Sequence, residues 1–204
     1  PVVAALDRRD DSRPLWQYAA RSAAAVALMG AVNAVATLAA LGVSVLWWLL
    51  HRPDRRWLRF GAWWAAGLLA ACAWWLVPLL ILSRVSPPFL DFIESSGVTT
   101  EWTSLTEVLR GASSWTPFVS SERVAGAVLV TQPAAVLATG TLAAAGLAGL
   151  CMRHMPFRGR MVTLVAVGLV LMCVGFAGQL GSPIADDVRA FLDGAGAPLR
   201  NIHK

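Results

Sequence analysis

Between Phe60 and Leu82 the chain reads FGAWWAAGLLAACAWWLVPLLIL, 23 residues without a charged side chain. An α-helix rises about 1.5 Å per residue, so about 20 apolar residues cross the hydrocarbon of a bilayer. This stretch is long enough, and it is apolar on every face, as a helix surrounded by lipid or by other helices requires. Three further uncharged runs accompany it: Ser22 to Leu50, Val124 to Met152, and Met161 to about Leu180. The first exceeds one crossing, and Gly30 and Asn33 mark where a short interfacial helix would break into a span ending at Trp47-Trp48. In the third, Gln132-Pro133 interrupts the helix, because proline lacks the N–H and disfavours helical backbone before it. That span is assigned to 133–152, preceded by a surface-lying Val124 to Val130. The fold predicted is all-α: a polytopic transmembrane bundle of about four spans, at 22–50, 60–82, 133–152 and 161–180, with short interfacial helices in the external loops.

Composition agrees. Of 204 residues 57% are hydrophobic and 14% charged, against about 45–50% apolar in soluble domains. Ten Trp and seven Phe exclude a disordered chain. The net charge of +5 invites a nucleic-acid reading. The positive residues flank apolar runs instead of forming one stripe, so no nucleic-acid partner is assigned and the lipid bilayer is the expected one. Cys72, Cys151 and Cys173 include no CxxC pair. Cys151 and His154 alone cannot fill a tetrahedral zinc site, and no metal site is assigned.

The turns His51 to Arg59 and Arg153 to Arg160 are short and strongly basic, whereas the loop 83–123 carries three Arg against five acids and the tail 181–204 balances three against three. The positive-inside rule places both basic turns in the cytoplasm, and the N-terminal segment, the long loop and the tail outside. The basic turns read as topology signals, with anionic-lipid or partner binding as the alternative. Trp47, Trp48, Trp57, Trp63, Trp64, Trp74 and Trp75 cluster toward span ends, where indoles anchor at the headgroups. Trp74 or Trp75 is also a candidate to stack on a sugar or prenyl chain. Asn33, Gln132 and Gln179 are expected to hydrogen-bond between helices.

A loop of 41 residues from Ser83 to Arg123 is long enough to expect a function. Pro87-Pro88 stops the preceding span, and Phe89, Leu90, Phe92 and Ile93, interrupted by Asp91 and Glu94, make an interfacial helix pattern. After a break at Ser95-Ser96-Gly97, Ser104-Leu105-Thr106-Glu107 has capping-box form with Gly111 as the stop. Glu94 and Glu101, with Trp102, are the candidate carbohydrate contacts: carboxylates accept hydrogen bonds from hydroxyls while an indole covers the C–H face of a ring. Glu107 reads as structural. In the tail, Ser182 and Pro183 look like the cap and first position of a helix that carries Asp186 and Asp187 in its first turn and stops at Gly194. Beyond it Arg200, Asn201, His203 and Lys204 concentrate groups able to hold a phosphate.

VPLLIL (77–82), SPPFLDFIESSGVTTEWTSLTEVLRG (86–111), QPAAVLATG (132–140), LGSP (180–183) and APLRNIHK (197–204) together carry a family resemblance. The chain resembles the D-type arabinofuranosyltransferases of actinobacterial cell walls, large glycosyltransferases of the C-type membrane fold, over roughly Pro14 to Lys204. The resemblance implies transfer of arabinofuranose from a decaprenyl-phosphate carrier to an arabinan acceptor at the outer face of the plasma membrane. Decaprenyl-phosphate-linked arabinose is then the donor substrate, with no cofactor assigned and the divalent-metal requirement open. The family places its catalytic carboxylate in the first external loop, after the first span. The chain is therefore expected to be an internal fragment, inactive alone, whose catalytic residue is unknown and lies upstream. Asp7, Asp10 and Asp11 could belong to that loop, but their spacing identifies no base.

The competing reading is a membrane transporter or lipid flippase segment, and a third is a scaffold packing on partner subunits. The scarcity of charged residues inside the runs argues against proton-coupled transport.

Overall fold

The computed structural model describes residues 1–7, 13–29, 34–82, 84–85, 95–115 and 124–200. Among the described residues every regular element is helical. In chain order they are α1 (Val2–Asp7), α2 (Leu15–Leu28), α3 (Ala34–Leu49), α4 (Arg55–Leu82), α5 (Ser96–Thr100), α6 (Leu105–Arg110), α7 (Val124–Thr131), α8 (Pro133–Leu150), α9 (Arg158–Cys173), α10 (Ala185–Asp193) and a 3-10 turn at Ala197–Leu199. The chain divides into two compact units, Pro1–Pro87 and Pro88–Lys204. By length and composition α4 and α8 are able to cross a membrane, and Thr37–Leu49 is a shorter apolar helix.

In the first unit, α4 starts at Arg55, five residues before the apolar run. The predicted turn 51–59 is thus shorter, because the Asp54 carboxylate accepts from Trp57 N–H at 2.7 Å and starts the helix there. α2 packs along α4. Gly67 makes this approach possible: a Cβ on it would lie 3.1 Å from that of Ala23. Next to it Trp64 Nε1 donates to Ser22 Oγ at 2.9 Å, and Phe60, fully buried, lies 5.7 Å from the Trp64 ring.

The tryptophans are less uniform than the anchor reading expected. Trp47, Trp64 and Trp75 are buried, whereas Trp63 and Trp74 are exposed. Trp48 and Trp57 stack at 3.9 Å, each indole N–H donating to the other's backbone carbonyl. The Trp48 ring covers Gly61, where a Cβ would meet it at 2.7 Å. A residue that buries its ring and bonds its N–H within the fold is a packing element.

The stretch 22–50 is not one unbroken helix. α2 ends at Leu28 and α3 begins at Ala34; Gly30 and Asn33, where the break was expected, lie outside the described residues. Asp7 at the end of α1 accepts from His51 Nε2 at 3.0 Å and from Trp47 Nε1 at 3.1 Å. α1 therefore sits beside the turn that follows α3, and an external N-terminal segment with a cytoplasmic 51–59 turn cannot hold for both.

In the second unit, α6 packs on α8 and on α9, and α10 packs on α5 and the 3-10 turn. Pro133 opens α8 after a break at Gln132, as the sequence requires. The run 161–180 is helical only to Cys173. Beyond it the glycine-rich 175–181 segment folds back, with Ser182 N–H donating to the Phe176 carbonyl at 2.8 Å, so the fourth predicted span is shortened. α10 likewise begins at Ala185, two residues after Pro183; Ser182 Oγ accepts from Ile184 N–H instead of capping the helix. Gly194 does end it. Gln132 and Gln179 are exposed and make no side-chain bond between helices among the described residues: one precedes a helix and the other lies in the glycine turn.

Candidate functional site

The segment 95–115 is built from hydroxyl side chains. Ser95, expected in a break, instead caps α5, its Oγ accepting from Val98 N–H at 3.4 Å. Ser96, Thr99, Thr100 and Thr103 are all buried, a costly arrangement unless each hydroxyl is bonded. Thr100 Oγ1 donates to the Ser96 carbonyl at 2.7 Å and Thr103 Oγ1 to the Thr100 carbonyl at 2.9 Å. Ser104 then caps α6, accepting from Glu107 N–H, and Gly111 ends it at φ 69, a left-handed conformation natural to glycine.

The tail holds this segment in place. Asp193 accepts from Ser96 N–H at 2.9 Å and from Ser96 Oγ at 2.5 Å. The Ser96 hydroxyl bond, the largest cause, keeps the Asp193 carboxyl below its usual range, assisted by the nearby Arg200 and Arg189. Arg189 Nε donates to Thr100 Oγ1 at 2.9 Å and to the Gly175 carbonyl at 3.0 Å. Gly175 admits no side chain, since a Cβ would sit 2.8 Å from Thr100 Cγ2.

On this platform lies a groove of about 300 Å³ lined by Glu101, Trp102, Ser104, Glu107, Ala112, Val130 and Phe176. Arg110 fixes one wall: its Nη1 bonds Glu107 Oε1 at 2.8 Å, its Nε bonds Thr139 Oγ1 and its Nη2 the Leu129 carbonyl. Glu107 Oε2 is buried and has no hydrogen-bond partner among the described residues. An unmatched acceptor oxygen beside two aromatic rings is suited to a hydroxyl-bearing ligand with an apolar face. The capping-box form gave no sign of this unmatched oxygen on Glu107. Its side chain turns to Arg110 and the groove, so only the Ser104 half of the box forms. Phe176, more than 50 residues beyond the loop in sequence, carried no signal for the groove at all.

Of the residues singled out from sequence, Glu101 and Trp102 share this groove. Glu94, Asn201, His203 and Lys204 lie outside the described residues, as does the interfacial pattern 89–93. Arg200 is described, and it is not open to a phosphate: it is 4% exposed, donates to the Leu192 carbonyl at 3.1 Å and lies 3.5 Å from Asp193. Local bonds to the end of α10 draw its guanidinium inward. In the first unit an open apolar hollow of about 640 Å³ is lined by Trp16, Ala20, Trp63, Ala66 and Gly67.

A helical chain with two membrane-length helices and a family match along its whole length defines a class: the N-terminal domain of a C-type membrane glycosyltransferase, GT-C. The family described as alpha-(1->3)-arabinofuranosyltransferase, N-terminal GT-C domain, matches residues 1–204, and the chain belongs to this family. It is 60% identical over 204 residues to the alpha-(1->3)-arabinofuranosyltransferase of Mycolicibacterium smegmatis and 57% identical to that of Mycobacterium tuberculosis. In each case all of this chain is covered, but it spans only 14% of the relative's length. Its structure is similar to the cryo-EM structure of mycobacterial arabinofuranosyltransferase AftD, mutant R1389S class 2, with a TM-score of 0.63 and 43% identity over 100% of this chain and 13% of that one. A further AftD cryo-EM structure gives a TM-score of 0.59 at 42% identity, covering 93% of this chain and 14% of that one.

Proposed function

We propose that the chain forms part of a plasma-membrane glycosyltransferase that moves arabinofuranose from a decaprenyl-phosphate carrier to an arabinan acceptor. The whole-length family match supports this reading most strongly. In the proposal the protein is multi-pass, and the loop 83–123 and the tail 181–204 face outward, where a lipid-linked donor presents its sugar. The groove of the second unit binds a sugar ring: Glu101 and Glu107 accept from its hydroxyls and Trp102 and Phe176 cover its C–H face. Glu94 is a further sugar contact, and Asn201, His203 and Lys204 are the carrier-phosphate contacts. The apolar hollow at Trp16 and Trp63 offers a bed for a prenyl chain.

The chemistry needs a base on the acceptor hydroxyl and stabilisation of the departing phosphate. No residue of this chain is assigned as the base. The test is arabinose transfer by the intact protein carrying E101Q, E107Q or W102A, with membrane insertion monitored in parallel. Loss of one stacking or carboxylate contact is expected to raise KM for the sugar substrate about tenfold, from about 1–2 kcal/mol of binding. Unchanged kinetics in all three variants would remove the groove from the reaction. Movement of the lipid-linked sugar across the bilayer without transfer would favour the transporter reading instead.

A further inference from the structure

Several arginines of the chain serve the fold, whereas Arg153 and Arg158, at the turn between α8 and α9, do not. Arg56 donates to the Ala5 carbonyl, Arg110 to Glu107, Thr139 and Leu129, Arg189 to Thr100 and Gly175, and Arg200 to Leu192. In each of these the guanidinium is committed to the fold. Arg153, His154 and Arg158 are exposed and make no hydrogen bond or ion pair among the described residues. No acidic residue occurs in the sequence between Glu122 and Asp186, so nothing nearby in the chain neutralises them.

The same turn presents apolar surface. Met152 is 66% exposed and Phe157 46%, and the Arg160 guanidinium lies 5.5 Å from the centre of the Phe157 ring. The turn directly follows α8, whose apolar window is wholly unburied within the fold and is long enough to cross a bilayer. A helix of that length seats its end at the boundary between hydrocarbon and water. Arginines and an exposed aromatic ring at that depth match a surface whose lower part is acyl chain and whose upper part is phosphate.

We propose that residues 152–160 form a docking surface for an anionic phospholipid headgroup, with Arg153 and Arg158 on the phosphate and Met152 and Phe157 among the acyl chains. Two guanidiniums offer paired donors that suit phosphate oxygens, and the lack of any carboxylate leaves the charge to be balanced from outside the chain. The proposal rests on α8 crossing the bilayer, as in the reading above.

The test uses the intact protein in nanodiscs made from equal parts phosphatidylglycerol and phosphatidylcholine, extracted into detergent and weighed by native mass spectrometry. Retained phosphatidylglycerol is expected to exceed phosphatidylcholine about tenfold. The R153Q/R158Q double variant is expected to lose that preference, with retention falling roughly tenfold to thirtyfold for two arginine contributions. In the unaltered protein about 0.5 M salt is expected to weaken retention as well, which keeps the test sound should the variant fold poorly. Equal retention of the two lipids, retention undiminished in the variant, or displacement of the lipid by soluble glycerol phosphate would each overturn the proposal. A protein that fails to insert into the nanodisc at all would instead refute the membrane reading of α8.

Discussion

The two units bury different chemistry. In Pro1–Pro87 the largest fully buried side chain is Phe60, and Trp47, Trp64 and Trp75 join it in the interior. In Pro88–Lys204 the most deeply buried positions include Ser96, Thr99 and Thr103, with Thr100 and Ser113 close behind. The first is held by rings filling space around close helix contacts at Gly61 and Gly67, a cohesion set by volume. The second is held by hydroxyls bonded to carbonyls and by side chains from the tail, a cohesion set by direction. A groove with an unmatched carboxylate oxygen occurs in the second kind of structure, where polar groups are already inside.

The sharpest way to break the contrast is to empty the aromatic interior. Phe60→Ala is expected to cost about 3–5 kcal/mol, read as a fall in thermal midpoint in detergent. A loss below about 1 kcal/mol would mean that the rings are not what holds the first unit. Asp7→Ala tests the polar exception within that unit. Asp7 and His51 are only 12% and 11% exposed, and removing one partner is expected to cost about 3 kcal/mol. It should also speed hydrogen exchange in α1 before α4 is affected. If α1 and α4 exchange together, the Asp7 contact is part of the main core and the contrast weakens.

Asp193→Ala sharpens the other side, with the smallest effect of the three. Loss of the Ser96 contacts is expected to cost about 1 kcal/mol. Its pH dependence is the more telling readout. Because the folded carboxyl lies below its ordinary value, the folded chain binds that proton more weakly than the unfolded one does. The stabilisation is therefore complete above the ordinary value of about 3.9, and is lost as pH falls through the lowered folded value. The Asp193→Asn variant should lack this acid-side change, and a variant that retains it would place the titration elsewhere.

Much of the helical plan was legible because its signals are local. The uncharged run 60–82, the Gln132-Pro133 break, the Ser104 cap and the Gly111 and Gly194 stops each act within one or two turns of backbone. Asp54 as the start of α4 is an equally local signal, but it sits in a turn dominated by positive charge. The carbohydrate reading of Glu101 and Trp102 drew on residue type, and the groove brings those two together. Arg200 went the other way: as one of a cationic group near the chain's last residues it read as a phosphate ligand, and its bonds to the end of α10 spend it internally.

By itself, then, the sequence determined that this chain is helical, that it carries helices apolar enough for a membrane, and where several of them start and stop. Hydrophobicity, proline, glycine and capping hydroxyls exert those effects over short distances. Only the tertiary structure decided which tryptophans pack and which stay exposed, that Asp7 meets His51 across 44 positions, and that Asp193 meets Ser96 across 97. It also decided that Glu107 and Phe176 share one groove. Such pairings depend on where helices cross, and side-chain contacts between residues far apart in the chain have no local periodicity from which to read them.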